Sequence, residues 1–130
     1  MLKSTLIKAG VLGVIAVLLG AFGAHVLKEI LTPEAFASFQ TGVYYQLTHA
    51  VVLLMLFLLM YKIESNQFKI AAHLIFWGVI LFSGSIYLLT LKNIIELEVL
   101  KIAGPITPIG GLLIISGWVF IVLGGIKLKV

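Results

Sequence analysis

Cysteine, arginine and aspartate are all missing from this chain. Without cysteine there is no thiolate nucleophile, no disulfide and no sulfur-ligated metal cluster. Charge of either sign is scarce: nine lysines face five glutamates, and charged residues make up 11% of the chain. No paired acids occupy an apolar segment, no serine sits in a nucleophile elbow and no phosphate-binding loop is present, so the chain does not read as an enzyme. What it has instead is hydrophobicity. Apolar residues reach 62% and the mean hydropathy is +1.22, against roughly 45–50% apolar usage in soluble domains. A net charge of +4 would suggest a nucleic-acid partner in a soluble chain. Here the lysines sit at the ends of apolar segments, where membrane topology and anionic lipid explain them, and no nucleic-acid partner is expected.

Four apolar stretches, at about 9–27, 43–61, 70–91 and 109–126, each approach the roughly 20 residues needed to cross a bilayer core of about 30 Å. An even number of spans returns the chain to its starting side. That side carries Lys3, Lys8, Lys62, Lys69, Lys127 and Lys129 against Glu64 alone, while the other carries Lys28, Lys92 and Lys101 with Glu29, Glu34, Glu96 and Glu98. The positive-inside rule then places both termini in the cytoplasm. The first stretch has signal-peptide features, a basic start and a small-x-small site at Ala21-Phe22-Gly23. Its apolar run outlasts the usual signal core and the later spans need a partner, so it is read as a retained helix. The expected fold is all-α: an antiparallel four-helix transmembrane bundle forming a single domain over residues 1–130.

Local signals refine this picture. Thr32-Pro33-Glu34 reads as a helix start, with Thr32 as N-cap, Pro33 in the first turn and Glu34 near the positive end of the dipole. The second helix therefore begins before the membrane core, with a short amphipathic start around Phe36 and Phe39 at the headgroups. Thr107-Pro108 repeats the signal and marks Thr107 as N-cap of the fourth helix. In the loop between the third and fourth spans, Lys92 and Glu96 form an i, i+4 pair, and Ile95, Val99 and Ile102 share a face, which suits a short interfacial helix, while the alternation of Glu96 and Glu98 with Leu97 and Val99 suits an extended stretch. Small residues recur at seven: Ala9, Ala16 and Gly23; Gly13 and Gly20; Ala71, Gly78 and Ser85; Gly110, Gly117 and Gly124. Together with Gly84, these are candidate close-packing positions, because helices in lipid associate through backbone approach and hydrogen bonds rather than through a hydrophobic drive.

The most polar run touching any span is FQTGVYYQLTHA, Phe39 to Ala50. Thr41, Tyr45 and His49 recur every four residues, and Gln46 lies beside His49 at i, i+3. A rise of about 1.5 Å per residue puts His49 roughly 9 Å below Val43. Unsatisfied polar groups at that depth cost on the order of several kcal/mol, so they need partners. His25, Ser83, Ser85 and Tyr87 fall at similar depth, and all eight residues are expected to form a polar cluster in the outer half of the bundle. Such a cluster serves either as interhelical hydrogen-bond glue or as a site for a solute, ion or proton. His73 reads as a wetted residue near the cytoplasmic edge, and Trp77 and Trp118 as packing or lipid contacts. Haem or metal ligation through His25 and His49 is a remote alternative: His25 is expected somewhat nearer the surface than His49, and no arginine is available to meet propionates. No cofactor or metal is assigned.

GAFGAHVL at Gly20 to Leu27, FQTGVYYQLTHA, FSGSIYLLTL at Phe82 to Leu91 and ITPIGGLLIISGW at Ile106 to Trp118 together resemble the YwdK/YgdD-type family of small four-span membrane proteins, a domain of unknown function found in bacteria. The resemblance covers nearly the whole chain and implies a retained first helix. It brings no activity, substrate or catalytic residue. The loop from Lys92 to Gly104 is longer and more charged than the family's glycine-containing link. The expected role is a non-enzymatic structural or interaction module of the bacterial plasma membrane, with a transporter or channel-like module as the alternative. Membrane lipids are the expected partners, together with a second copy or another membrane protein.

Overall fold

A computed structural model of the chain describes residues 1–128. Lys129, counted above among the cytoplasmic lysines, lies outside the described residues. The described residues are all helical apart from short connections: α1 (Leu2–Ile30), α2 (Pro33–Lys62), α3 (Asn66–Ile95) and α4 (Ile106–Ile126), with a 3-10 segment at Glu98–Ala103. All four helices are long and apolar enough to span a bilayer. They also outrun the apolar stretches read from the sequence, because helical backbone continues into the polar flanks where water meets the chain.

The ends of the helices follow local chemistry. Thr32 caps α2, its hydroxyl accepting from the Ala35 amide at 3.2 Å with Pro33 in the first turn. Ser65 caps α3 in the same way, through the amide of Phe68. Thr107 does not cap α4. That helix starts at Ile106 with Pro105 in the cap position, which leaves the Thr107 hydroxyl free to reach another helix. The interfacial loop also departs from expectation. Helix α3 continues to Ile95, Glu96 turns the chain with a left-handed φ of 54°, and the segment after it is a 3-10 helix. Past that turn Lys92 pairs with Glu98 at 3.2 Å instead of with Glu96.

Each helix packs extensively on its chain neighbours, α1 on α2, α2 on α3 and α3 on α4, and the α3–α4 interface is the most extensive. The core runs along α2 and α3 through Leu53, Leu56, Phe68, Ala71, Ile75 and Val79, joined by Ala9 and Leu12 of α1 and Ile114 of α4. Helices α1 and α4 flank this pair and leave broad apolar faces outward, with Val14, Val17, Leu112 and Ile115 all exposed. In a bilayer these faces meet acyl chains.

Backbone approach explains why α3 and α4 fit so closely. A Cβ added at Gly110 would lie 2.3 Å from the amide nitrogen and 2.7 Å from the Cα of Phe82. Gly78, one turn below Phe82, would meet the Ile114 amide nitrogen at 2.8 Å. Gly117 and Gly124 instead leave room for side chains, those of Ile75 and Phe68. On α1, Gly23 makes room for the ring of Phe39, inside a π-helical turn at Gly23–Leu27. Not every expected glycine packs. Gly13 and Gly84 face open space, and Gly20 makes only ordinary contact with Val43 at 3.5 Å. A period of seven finds rows of small residues but not which row turns inward. Gly42, outside every row, sits against Ile86 and Tyr87.

Gly110→Ala should therefore push α3 and α4 apart, because the obstruction is backbone and cannot rotate away. The expected loss is about 1–3 kcal/mol, the range for overpacked sites, read as reversible unfolding in mixed micelles. Gly84→Ala should match the parent or improve on it. Equal stability of the two variants would refute the close approach.

Candidate functional site

Gln46 is the centre of the polar cluster. It is buried, and its amide spans three helices: Nε2 donates to the carbonyl of Leu12 on α1 at 2.8 Å, and Oε1 accepts from the hydroxyl of Tyr87 on α3 at 2.7 Å. Since the Leu12 carbonyl can only accept, this amide orientation alone serves both partners. Leu12 O belongs to a helical backbone already bonded within α1, so the Gln46 contact occupies its second lone pair. One turn above Gln46 on α2, Ser83 Oγ of α3 donates to Gly42 O at 2.7 Å. The absence of a side chain at Gly42 is what lets α3 come near enough for this bond.

His49, one turn below Tyr45, is committed on both sides. The indole N–H of Trp118 on α4 donates to Nε2 at 3.2 Å, and Nδ1 lies 2.7 Å from the Tyr45 carbonyl. An indole nitrogen only donates and a carbonyl only accepts, so the imidazole is the neutral tautomer with its proton on Nδ1. Tyr45 stacks on His49 at 5.7 Å and packs tilted against Phe82 at 4.6 Å, and Trp118 meets His49 edge-on at 6.3 Å. A third link joins α3 to α4. Ser85 Oγ lies 2.6 Å from Thr107 Oγ1 and 2.9 Å from the Phe82 carbonyl. If Ser85 gives its single proton to that carbonyl, Thr107 donates to Ser85.

The structure thus brings Gln46, Tyr87, Ser83, Ser85, His49 and Tyr45 into one region, and leaves two expected members outside. Thr41 is exposed and donates to the Ala37 carbonyl of its own helix at 3.0 Å. Each i, i+4 step overshoots a full turn by about 40°, so two steps rotate Thr41 roughly 80° away from His49. His25 is exposed on the π-helical turn, where Gly23 and Leu27 take the inward positions. His25 and His49 share no ligand geometry, and both His49 nitrogens are in use. Sequence reasoning missed Trp118 and Thr107 as partners, and also Leu12 and Gly42, whose contribution is a backbone carbonyl. Trp118 could have been found as a half-polar ring at mid-span; the carbonyls carry no signal in residue type.

Two clefts open beside the cluster. One, of about 370 Å³, lies between α2 and α4 and is lined by Tyr45, Thr48, His49, Phe82 and Trp118 among others. The other, of about 640 Å³, lies between α1 and α2, over Gly20, Gly23 and Ala24, with Phe36 and Tyr44 as walls. Among the described residues, every buried side-chain nitrogen and oxygen has a hydrogen-bond partner.

Comparison with known proteins gives a consistent picture. Residues 19–111 match the family model described as "Protein of unknown function (DUF423)". The chain is 37% identical over 124 residues to the UPF0382 inner membrane protein YgdD of Escherichia coli K12, covering 95% of this chain and 90% of that one. It is 35% identical over 127 residues to the UPF0382 membrane protein YwdK of Bacillus subtilis, covering 97% and 98%. A UPF0382 membrane protein of Staphylococcus epidermidis is 35% identical over 126 residues. No solved structure matches.

The Gln46–Tyr87 bond can be isolated by a double-mutant cycle. Gln46→Ala and Tyr87→Phe should each destabilise the bundle, with a coupling of about 0.6 kcal/mol and no more than about 1.7 kcal/mol, the range for interhelical bonds in lipid. Strict additivity in detergent unfolding would show that the bond contributes nothing.

Proposed function

Since the chain belongs to the DUF423 family of membrane proteins of unknown function, we propose that it is a non-catalytic, multi-pass module of the plasma membrane that presents a fixed helical surface to lipid or to a membrane-protein partner. The observation that supports this is the saturation of its buried polar cluster. A substrate or ion site keeps convergent polar groups for its guest. Here Gln46 uses both ends of its amide within the protein and His49 both ring nitrogens. Nor is any of these groups arranged as a nucleophile with its base: Ser83 and Ser85 reach carbonyls and Thr107, never His49. The cluster is a clasp holding four helices in one arrangement.

The surface so held has two distinct ends. The lysine distribution supports cytoplasmic termini, with the Thr32 turn and the Glu98 segment on the outer side. Cysteine scanning tests this orientation in whole cells. Glu64→Cys should resist an impermeant external thiol reagent and Asn93→Cys should react; the reverse pattern would invert the protein. Glu64 is the better probe of its loop, because the neighbouring Ser65 caps α3.

The cleft beside His49, Thr48 and Tyr45 favours a second reading, a conducting module for a small solute or proton assembled from several copies. Reconstitution separates the two. Proteoliposomes carrying the parent should be no leakier to protons or potassium than protein-free vesicles. A flux abolished by His49→Gln in a variant that melts like the parent would establish conduction and end the clasp reading.

A further inference from the structure

The polar cluster absorbs the chemistry of one end of the molecule and leaves the opposite end unexplained. There, the start of α1, the end of α2 and the start of α3 surround an open pocket of about 640 Å³. Its rim carries Lys3, Lys62 and Lys69, and its apolar lining includes Leu2 and Met60. Glu64 is the single acid on this rim. It reaches Lys69 at 3.7 Å but is itself 92% exposed, so it neutralises little. The first turn of α1 holds no acidic residue, and no side chain caps it, which adds the positive end of a helix dipole to the same mouth. We infer that this pocket binds the headgroup of an anionic phospholipid, with the lysines on its phosphate and the glycerol and acyl carbons against Leu2 and Met60.

The choice of a lipid over a soluble anion follows from the lining. Three cations alone would suit any phosphate, but the same opening is half apolar and lies where four spanning helices leave the bilayer. A headgroup still attached to its chains satisfies both halves; a free phosphate satisfies one. The opposite end of the molecule makes the contrast. Its lysines are offset by four glutamates, and Glu98 alone engages both Lys92 and Lys101, at 3.2 and 3.5 Å. The inference rests on the membrane-module reading for its bilayer placement and uses no residue of the clasp, so flux measurements and lipid titration fail independently.

Titration of the purified protein in neutral-detergent micelles tests it, with thermal unfolding as the readout. Phosphatidylglycerol or cardiolipin should raise the melting temperature saturably, and phosphatidylcholine or inorganic phosphate should not. At about 1 kcal/mol per basic residue near an anionic surface, the triple variant K3Q/K62Q/K69Q should bind the anionic lipid roughly 100-fold more weakly. K3R/K62R/K69R should retain binding, as should K28Q/K92Q/K101Q at the other end. Melting of K3Q/K62Q/K69Q in phosphatidylcholine, unchanged from the parent, shows that the fold survives. Equal protection by inorganic phosphate, or equal loss in K28Q/K92Q/K101Q, would overturn the site. So would full protection retained in K3Q/K62Q/K69Q.

Discussion

In a bilayer there is no water for a polar side chain to fall back on, and that constraint shapes this protein more than any single contact. Where hydrocarbon surrounds the helices, the gain from burying apolar groups between them nearly vanishes, since acyl chains are as apolar as leucine. Association must come from close backbone packing and from hydrogen bonds that have no alternative partner. The two devices work side by side. Gly78 and Gly110 join α3 to α4 by backbone approach, with Gly117 and Gly124 seating the side chains of Ile75 and Phe68, and Gln46 ties α1, α2 and α3 together through an amide. His49 and Trp118 then close α2 onto α4, where no glycine brings their backbones together.

Satisfaction extends to polar residues that are exposed. Ser116 donates to Leu112 O and Thr41 to Ala37 O, each within its own helix. These hydroxyls cost the membrane little and hold nothing together. The difference between such residues and Ser83 or Gln46 is not residue type but rotational position: a helix face turned toward a neighbour converts a tolerated polar group into a cross-link.

Rotational position is also what separates the legible from the illegible in this sequence. Four spans, their alternation and the Thr32 cap follow from apolar length and turn chemistry, and the structure shows the same elements. The cluster was legible as a depth, since topology alone puts Gln46, His49, Ser83 and Tyr87 in one half of the chain's membrane path. Its membership was not. Thr41 and His25 share that depth but point elsewhere, and the acceptors at Leu12 and Gly42 are main-chain atoms that every residue possesses. Thr107 illustrates a subtler failure. Thr-Pro is a sound capping signal, yet Pro105 takes the cap position and Thr107 is left for Ser85. Small-residue rows behave likewise, because spacing names candidates and only the neighbouring helix decides among Gly13, Gly84 and Gly110.

Helix order carries a consequence for biogenesis. Because each helix packs mainly on its neighbours in the chain, no extensive interface waits for a distant part of the chain to be synthesised. As α2 emerges it meets α1, and as α4 emerges it lays Gly110, Gly117 and Gly124 against α3. The nascent protein can close in the order in which it leaves the ribosome, with each buried amide or hydroxyl spending little time in lipid without its acceptor. The exception is His49, whose donor Trp118 is made 69 residues later. Until then the imidazole has the Tyr45 carbonyl of its own helix as its partner.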